Sequence, residues 1–114
     1  MVRIQHVEQR QDVCIVEAEG RIAADTTTQL ENALMTVLEE GTVKIIVDLK
    51  GVEYISSAGL RVFLTTLKHV KVKNGILILV NLITNVEKVF KLAGFTKIFT
   101  IMNNVEDALQ SIDT

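Results

Sequence analysis

The sequence predicts one α/β domain over residues 1–114: a single mixed, mostly parallel sheet of about five strands with four helices, in the order β-β-α-β-α-β-α-β-α. Three observations predict it. Short β-branched runs alternate with segments whose apolar residues recur at helical spacing, the pattern of strands joined by right-handed crossover helices. Two of the runs, 44–48 and 76–80, are apolar almost throughout, as strands covered on both faces must be. The chain is 48% hydrophobic and 23% charged, with no Ser/Gly-rich linker and no internal repeat. A chain of this length buries roughly 65% of its unfolded surface, enough for one core.

The opening residues 2–8 alternate apolar and polar, through Val2, Ile4 and, less cleanly, Val7. Polar Gln9, Arg10, Gln11 and Asp12 then turn the chain into β-branched Val13-Cys14-Ile15-Val16, a hairpin whose first strand is an edge. Gly20 is expected to end the second strand. Thr26 and Gln29 have the spacing of a capping box, with Asp25 as the alternative cap, and Leu30, Ala33, Leu34, Val37 and Leu38 follow on one helical face up to Gly41. After the strand 44–48, residues 49–55 read as a connecting loop. From Ser57 the stripe Leu60, Phe63, Leu64, Leu67 and Val70 marks a second helix, stopped at Asn74-Gly75. A strand over 76–80 follows, then Thr84 and Glu87 as a second capping box for a short helix ended by Gly94. Residues 98–101 read as the last strand. Asn103 and Glu106 open a final helix carrying Val105, Ala108, Leu109 and Ile112.

Charge and motif content exclude several functions. Twelve basic residues face fourteen acidic ones, a balance unlike that of a general nucleic-acid binder. A single cysteine, Cys14, forms no internal disulfide and builds no zinc site alone; it reads as a small buried hydrophobe. The N-terminal residues lack an apolar signal core, and the longest apolar run, 76–80, is far shorter than the ~20 residues of a membrane span, so a cytoplasmic protein with no membrane contact is expected. Ser57-Ala58-Gly59 resembles half of a nucleophile elbow, but Ile55 stands where the first glycine belongs. The histidines are His6 and His69, and the latter lies twelve residues along the same helix, about 18 Å from Ser57. No phosphate-binding glycine loop or metal motif is present, and neither enzyme activity nor a cofactor or metal is expected. The run Lys68, His69, Lys71 and Lys73 reads as a solvated helix end.

In open α/β sheets, function gathers where strand C-termini meet helix N-termini. That directs attention to residues 20–28 and 48–59. Ser56 or Ser57 stands where the second helix begins, and either serves as its N-cap. One cap needs only one serine, however, and Ala58-Gly59 leaves the entrance nearly bare, so the other hydroxyl is open to a second protein. Gly59 in the first turn implies a close approach, by a neighbouring loop or by a partner. Asp48 at the strand end is suited to holding the loop through backbone N–H groups.

The segment V-D-L-K-G-V-E-Y-I-S-S-A-G-L-R, residues 47–61, closely resembles the signature of STAS domains, in particular the freestanding bacterial anti-sigma factor antagonists. Gly20-Arg21-Ile22 with Asp25 resembles that family's first βα loop, and Leu92-Ala93-Gly94-Phe95 with Phe99 resembles its later L-x-G-[FL] segment, so the resemblance spans essentially the whole chain. It implies an acceptor serine two residues before the Gly-Leu pair, which is Ser57, with Ser56 as second candidate. It implies a docking face made of Asp25, Ser56, Ser57, Gly59, Leu60 and Arg61. It also implies a cycle: the unphosphorylated protein binds an anti-sigma factor serine kinase and frees the sigma factor, phosphorylation ends the complex, and a serine phosphatase restores it. Two positions depart from the pattern: Ser56 stands where many members carry Asp, and Lys50 where many carry Ser or Thr. The alternative reading is a STAS scaffold or ligand-binding subunit of a lipid-transport or signalling assembly, in which Ser57 is only a helix cap.

Overall fold

Apolar alternation builds the sheet, and the helical stripes cover it. The computed structural model describes residues 2–7 and 10–113. Glu8 and Gln9, where the sequence places the end of the first strand and the start of the first turn, lie outside the described residues. The order is β1 (Val2–Val7), β2 (Arg10–Ile22), α1 (Asp25–Glu39), β3 (Lys44–Ile55), α2 (Ser57–Val72), β4 (Ile76–Val80), α3 (Thr84–Leu92), a 3₁₀ turn (Phe95–Lys97), β5 (Thr100–Met102) and α4 (Val105–Asp113). The strands lie side by side in sequence order, β1 antiparallel to β2 and every later pair parallel. The expected fold class and element order hold.

On one face, Cys14, Val16, Ile45, Val47, Leu77 and Leu79 pack under α1, α2 and α3 through Leu30, Leu34, Phe63, Leu67, Val86 and Phe90. On the other, Val13, Ile46, Ile78 and Val80 meet Ala108 of α4. Neighbouring residues of β3 and β4 thus enter opposite cores, which is why these runs are apolar throughout. Burial pushes the Cys14 thiol pKa up, with Glu40 adding to the shift.

Several boundaries differ from expectation. Residues 49–55 are strand rather than loop, and β2 continues past Gly20 to Ile22. The two extensions pair with each other, Glu19 with Gly51, Gly20 with Val52, Arg21 with Tyr54 and Ile22 with Ile55, across two register shifts. Buried Val52 and Ile55 continue the core face. A Cβ on Gly51 would stand 2.7 Å from Glu19 Cβ, so the strands approach this closely only at a glycine.

Neither proposed capping box forms. Ala24, with a positive φ of 49°, is the N-cap of α1 and makes no side-chain cap, and Asp25 is inside the first turn. Backbone turns serve instead, with Thr26 and Thr27 N–H donating to the carbonyls of Ala23 and Ala24. In α3, Thr84 lies inside the helix and Ile83 is the N-cap, again without a side-chain bond. Asn104 rather than Asn103 caps α4, accepting from Asp107 N–H at 2.8 Å. The last strand begins at Thr100 because Phe95 and Phe99 close around Phe90 to form an aromatic cluster, leaving Ile98 exposed before the strand.

Candidate functional site

The parallel strands β2 and β3 end together, and α1 and α2 start beside them. The seam is a backbone bond: Ser56 N–H donates to the Ile22 carbonyl at 2.9 Å. Ser56 is the N-cap of α2, with extended backbone, and its Oγ accepts from Gly59 N–H at 3.2 Å. Of the two serines the sequence left open, Ser56 is the one that satisfies the helix entrance. Ser57 is the first helical residue and is exposed.

Gly59 answers to an internal neighbour. A Cβ there would stand 2.8 Å from both Ile22 Cγ2 and Ile55 Cγ1, so α2 reaches the strand ends only without a side chain at this position. Leu60 is likewise turned into the core. The expected docking face therefore divides: Ser57, Arg61 and Asp25 are exposed, Ser56 is half-buried, and Gly59 and Leu60 act from beneath by seating the helix. Arg61 lies one turn beyond Ser57, on the same side of α2.

The electrostatics favour an anion at this entrance. The first turn of α2 contains no acidic residue, whereas those of α1, α3 and α4 contain Asp25, Glu87, and Glu106 with Asp107. The positive end of the α2 dipole is thus uncompensated by its own first turn.

Asp48 lies deeper on the sheet, and its Oδ1 accepts from Lys50 N–H at 3.0 Å and from Asn81 Nδ2 at 3.1 Å. It holds β3 against the end of β4. His69 Nδ1 lies 2.9 Å from the Thr65 carbonyl oxygen, far down α2 from Ser57. The described residues hold no cluster of three or more histidine, cysteine or acidic side chains suited to a metal. Among them, no helix is long and apolar enough to cross a membrane.

One pair at this end is absent from the sequence reading. The Arg21 guanidinium stacks over the Tyr54 ring, 4.2 Å from its centroid. Finding the pair requires the β2–β3 register beyond two bulges. The signal available was apolar Val52 and Ile55, three residues apart and both buried because the register shifts between them.

A model of the STAS domain matches residues 5–108. A candidate anti-sigma factor antagonist of Bordetella bronchiseptica, BtrV, is 35% identical over 96 residues, spanning 84% of this chain and 83% of that protein. The anti-sigma-B factor antagonist of Bacillus subtilis is 32% identical over 104 residues, 91% of this chain and 94% of the relative. Among solved structures, an anti-sigma factor antagonist from Mycobacterium paratuberculosis has a TM-score of 0.88 at 23% identity, covering 100% of this chain and 94% of the other. The Bacillus cell fate determinant SpoIIAA, in its phosphorylated form, has a TM-score of 0.77 at 18% identity, covering 98% and 99%. At these identities the two structural likenesses establish the fold.

Proposed function

The chain belongs to the STAS domain family, and on that premise we propose that it is an anti-sigma factor antagonist switched by phosphorylation of Ser57. Unmodified, it docks on an anti-sigma factor serine kinase in the cytoplasm and so frees a sigma factor. The kinase transfers phosphate from ATP to the Ser57 hydroxyl, the complex parts, and a serine phosphatase resets the protein. The names of the curated relatives support the antagonist role, and the phosphorylated form of SpoIIAA supports modification as the switch. Neither catalysis by this chain nor direct contact with nucleic acid or membrane is part of the reading.

The observation that carries the reading is the division of labour between two adjacent serines. Ser56 Oγ is engaged at 3.2 Å in holding the helix entrance, while Ser57 stands exposed. Phosphate on Ser57 adds about −1.5 to −2 charge. The free protein tolerates it, since the dipole of α2 favours an anion there by ~0.3–1 kcal/mol and Arg61 is one turn away. A partner surface that closes over Ser57 instead meets a charge it must desolvate, at a cost of several kcal/mol. Docking is lost while the fold stays.

Asp25, Ser57 and Arg61 form the exposed part of the docking face, and Ser56, Gly59 and Leu60 fix its shape. The test is calorimetric binding to the purified anti-sigma kinase encoded by the same genome, with unmodified and phosphorylated protein. Phosphorylation is expected to weaken binding at least about 100-fold, equivalent to ~2.7 kcal/mol. Equal affinities would contradict the reading.

A further inference from the structure

The helix layer changes charge from α1 to α3. α1 carries Asp25, Glu31 and Glu39 and no basic residue. Residues 68–97, from the last turns of α2 through the 3₁₀ turn, carry six lysines and one acid, Glu87, in a chain whose net charge is −2. Among the described residues, none of these lysines is in an ion pair. The same segment holds the two most exposed large apolar side chains among the described residues, Val72 at 84% and Leu92 at 88%.

These residues share one surface. Ser57, Arg61, Lys68 and Val72 fall within about 60° of one another around α2, opposite buried Phe63 and Val70. In α3, Lys88 and Leu92 lie one turn apart, opposite buried Val86 and Phe90. The two helices lie side by side on the same sheet face, with the Phe63 and Phe90 ring centres 6.0 Å apart between them. At the lower end of α2, Lys68, His69, Val72 and Lys73 line an open, mainly apolar depression of about 200 Å³.

We propose that the solvent face of α2 and α3, centred on Lys68, Val72, Lys88 and Leu92, is a second half of the docking surface, and that it takes an acidic surface of the anti-sigma kinase with an apolar centre. It rests on Ser57 as the acceptor. Ser57 and Val72 are fifteen residues of helix apart, about 22 Å. A standard interface takes ~800 Å² from each partner, a patch about 30 Å across, long enough to cover both. The stripe carries no aromatic side chain, and two aliphatic ones give a bilayer little to bury. Ringed by lysines, they match the apolar centre and charged rim of a protein interface. Acidic α1 sets the orientation, because a partner surface rich in carboxylates is drawn over α2 and α3 and repelled from Asp25, Glu31 and Glu39. The same complementarity sharpens the switch: phosphate on Ser57 makes the top of the cationic stripe anionic, and the acidic partner then meets like charge.

Stopped-flow and equilibrium binding to the purified anti-sigma kinase of the same genome test this. Lys68→Glu with Lys88→Glu is expected to slow association at least about 10-fold at low salt, and the gap is expected to narrow in about 0.5 M NaCl as the charges are screened. Leu92→Ser is expected to weaken binding about 5-fold through faster dissociation. Lys50→Glu with Arg21→Glu makes the same change of net charge on the opposite sheet face, since neighbouring Leu49 and Ile22 enter the helix-side core, and is expected to alter association less than about 3-fold. Patch variants that bind like the parent, or a patch effect no larger than that of the far-face pair, overturn the proposal. So does a patch that leaves kinase binding intact but whose variants lose adhesion to phosphatidylglycerol vesicles, which would assign it to an anionic bilayer. The acceptor is scored separately by the phosphorylated parent in the same assay: release of the kinase upholds Ser57 even where the patch variants bind normally. A parent that binds no kinase overturns both.

Discussion

Two helices open at the same edge of the sheet, and their entrances differ in one respect that matters. In α4, Asn104 Oδ1 accepts from Asp107 N–H, and Glu106 and Asp107 supply negative charge in the first turn. In α2, Ser56 Oγ accepts from Gly59 N–H, the first turn has no acid, and the first helical residue is an exposed serine. Both entrances satisfy an orphan backbone donor with a side-chain cap. The α4 entrance is electrostatically complete, whereas α2 leaves its positive end available to an anion that arrives later. The local fold rests on Ser56, and the proposed modification falls to a different residue, the exposed Ser57.

The third helical position gives the sharpest contrast. Gly59→Ala would place a methyl 2.8 Å from Ile22 and Ile55 side-chain atoms, both residues being buried. Urea unfolding should show a loss of about 1–3 kcal/mol even after the ~1 kcal/mol of helix propensity that alanine brings. Asp107→Ala, at the matching and exposed position of α4, should cost under about 1 kcal/mol. Equal costs would mean that α2 is not seated as tightly as its geometry implies.

The caps come next in size. Ser56→Ala and Asn104→Ala should each lower stability by about 1 kcal/mol in the same assay. Ser57→Ala should change it by less than about 0.5 kcal/mol, since the exposed hydroxyl supports no cap. If Ser57→Ala were the costlier of the adjacent pair, the roles of the two serines would be exchanged.

Cys14 provides an internal reference away from both entrances. Its thiol pKa is raised by burial first and by Glu40 second. A folded pKa above the unfolded one gives a contribution to stability that is whole below the unfolded thiol value, about 8.5, and is lost as pH rises through the folded one. The unfolding midpoint of the parent should therefore fall more steeply above that pH than that of Cys14→Ala. Ser57→Asp should leave this slope unchanged. A slope altered by Ser57→Asp would show that charge at the entrance reaches the core.

Much of this was legible in the chain itself. Helical stripes such as Leu60, Phe63, Leu67 and Val70 and doubly apolar runs such as 76–80 specify elements through local pattern alone. The segment 56–59 drew attention as well, because two serines are more than one cap needs, while its reading as an acceptor site came from the resemblance to STAS domains. What was hidden depends on register. Lys50 and Gly51 interrupt the apolar run of β3, so its second half reads as loop until β2 is seen to continue beside it through two bulges. Arg21 and Tyr54 meet only across that pairing. The choice between Ser56 and Ser57 turns on one residue of helix phase, finer than any periodicity resolves. The capping boxes failed because each helix starts ahead of the position its box assigned: α1 is already helical at Asp25 and α3 at Thr84, where Glu87 N–H donates to the Ile83 carbonyl.

The division between the two serines can be tested in a single measurement: phosphopeptide mapping by mass spectrometry after incubation with cell extract and ATP, on the parent chain, Ser56→Ala and Ser57→Ala. One added phosphate on the parent, retained in Ser56→Ala and lost in Ser57→Ala, is the expected result. Phosphate that persists in Ser57→Ala, or a parent chain that takes up none, would contradict the account.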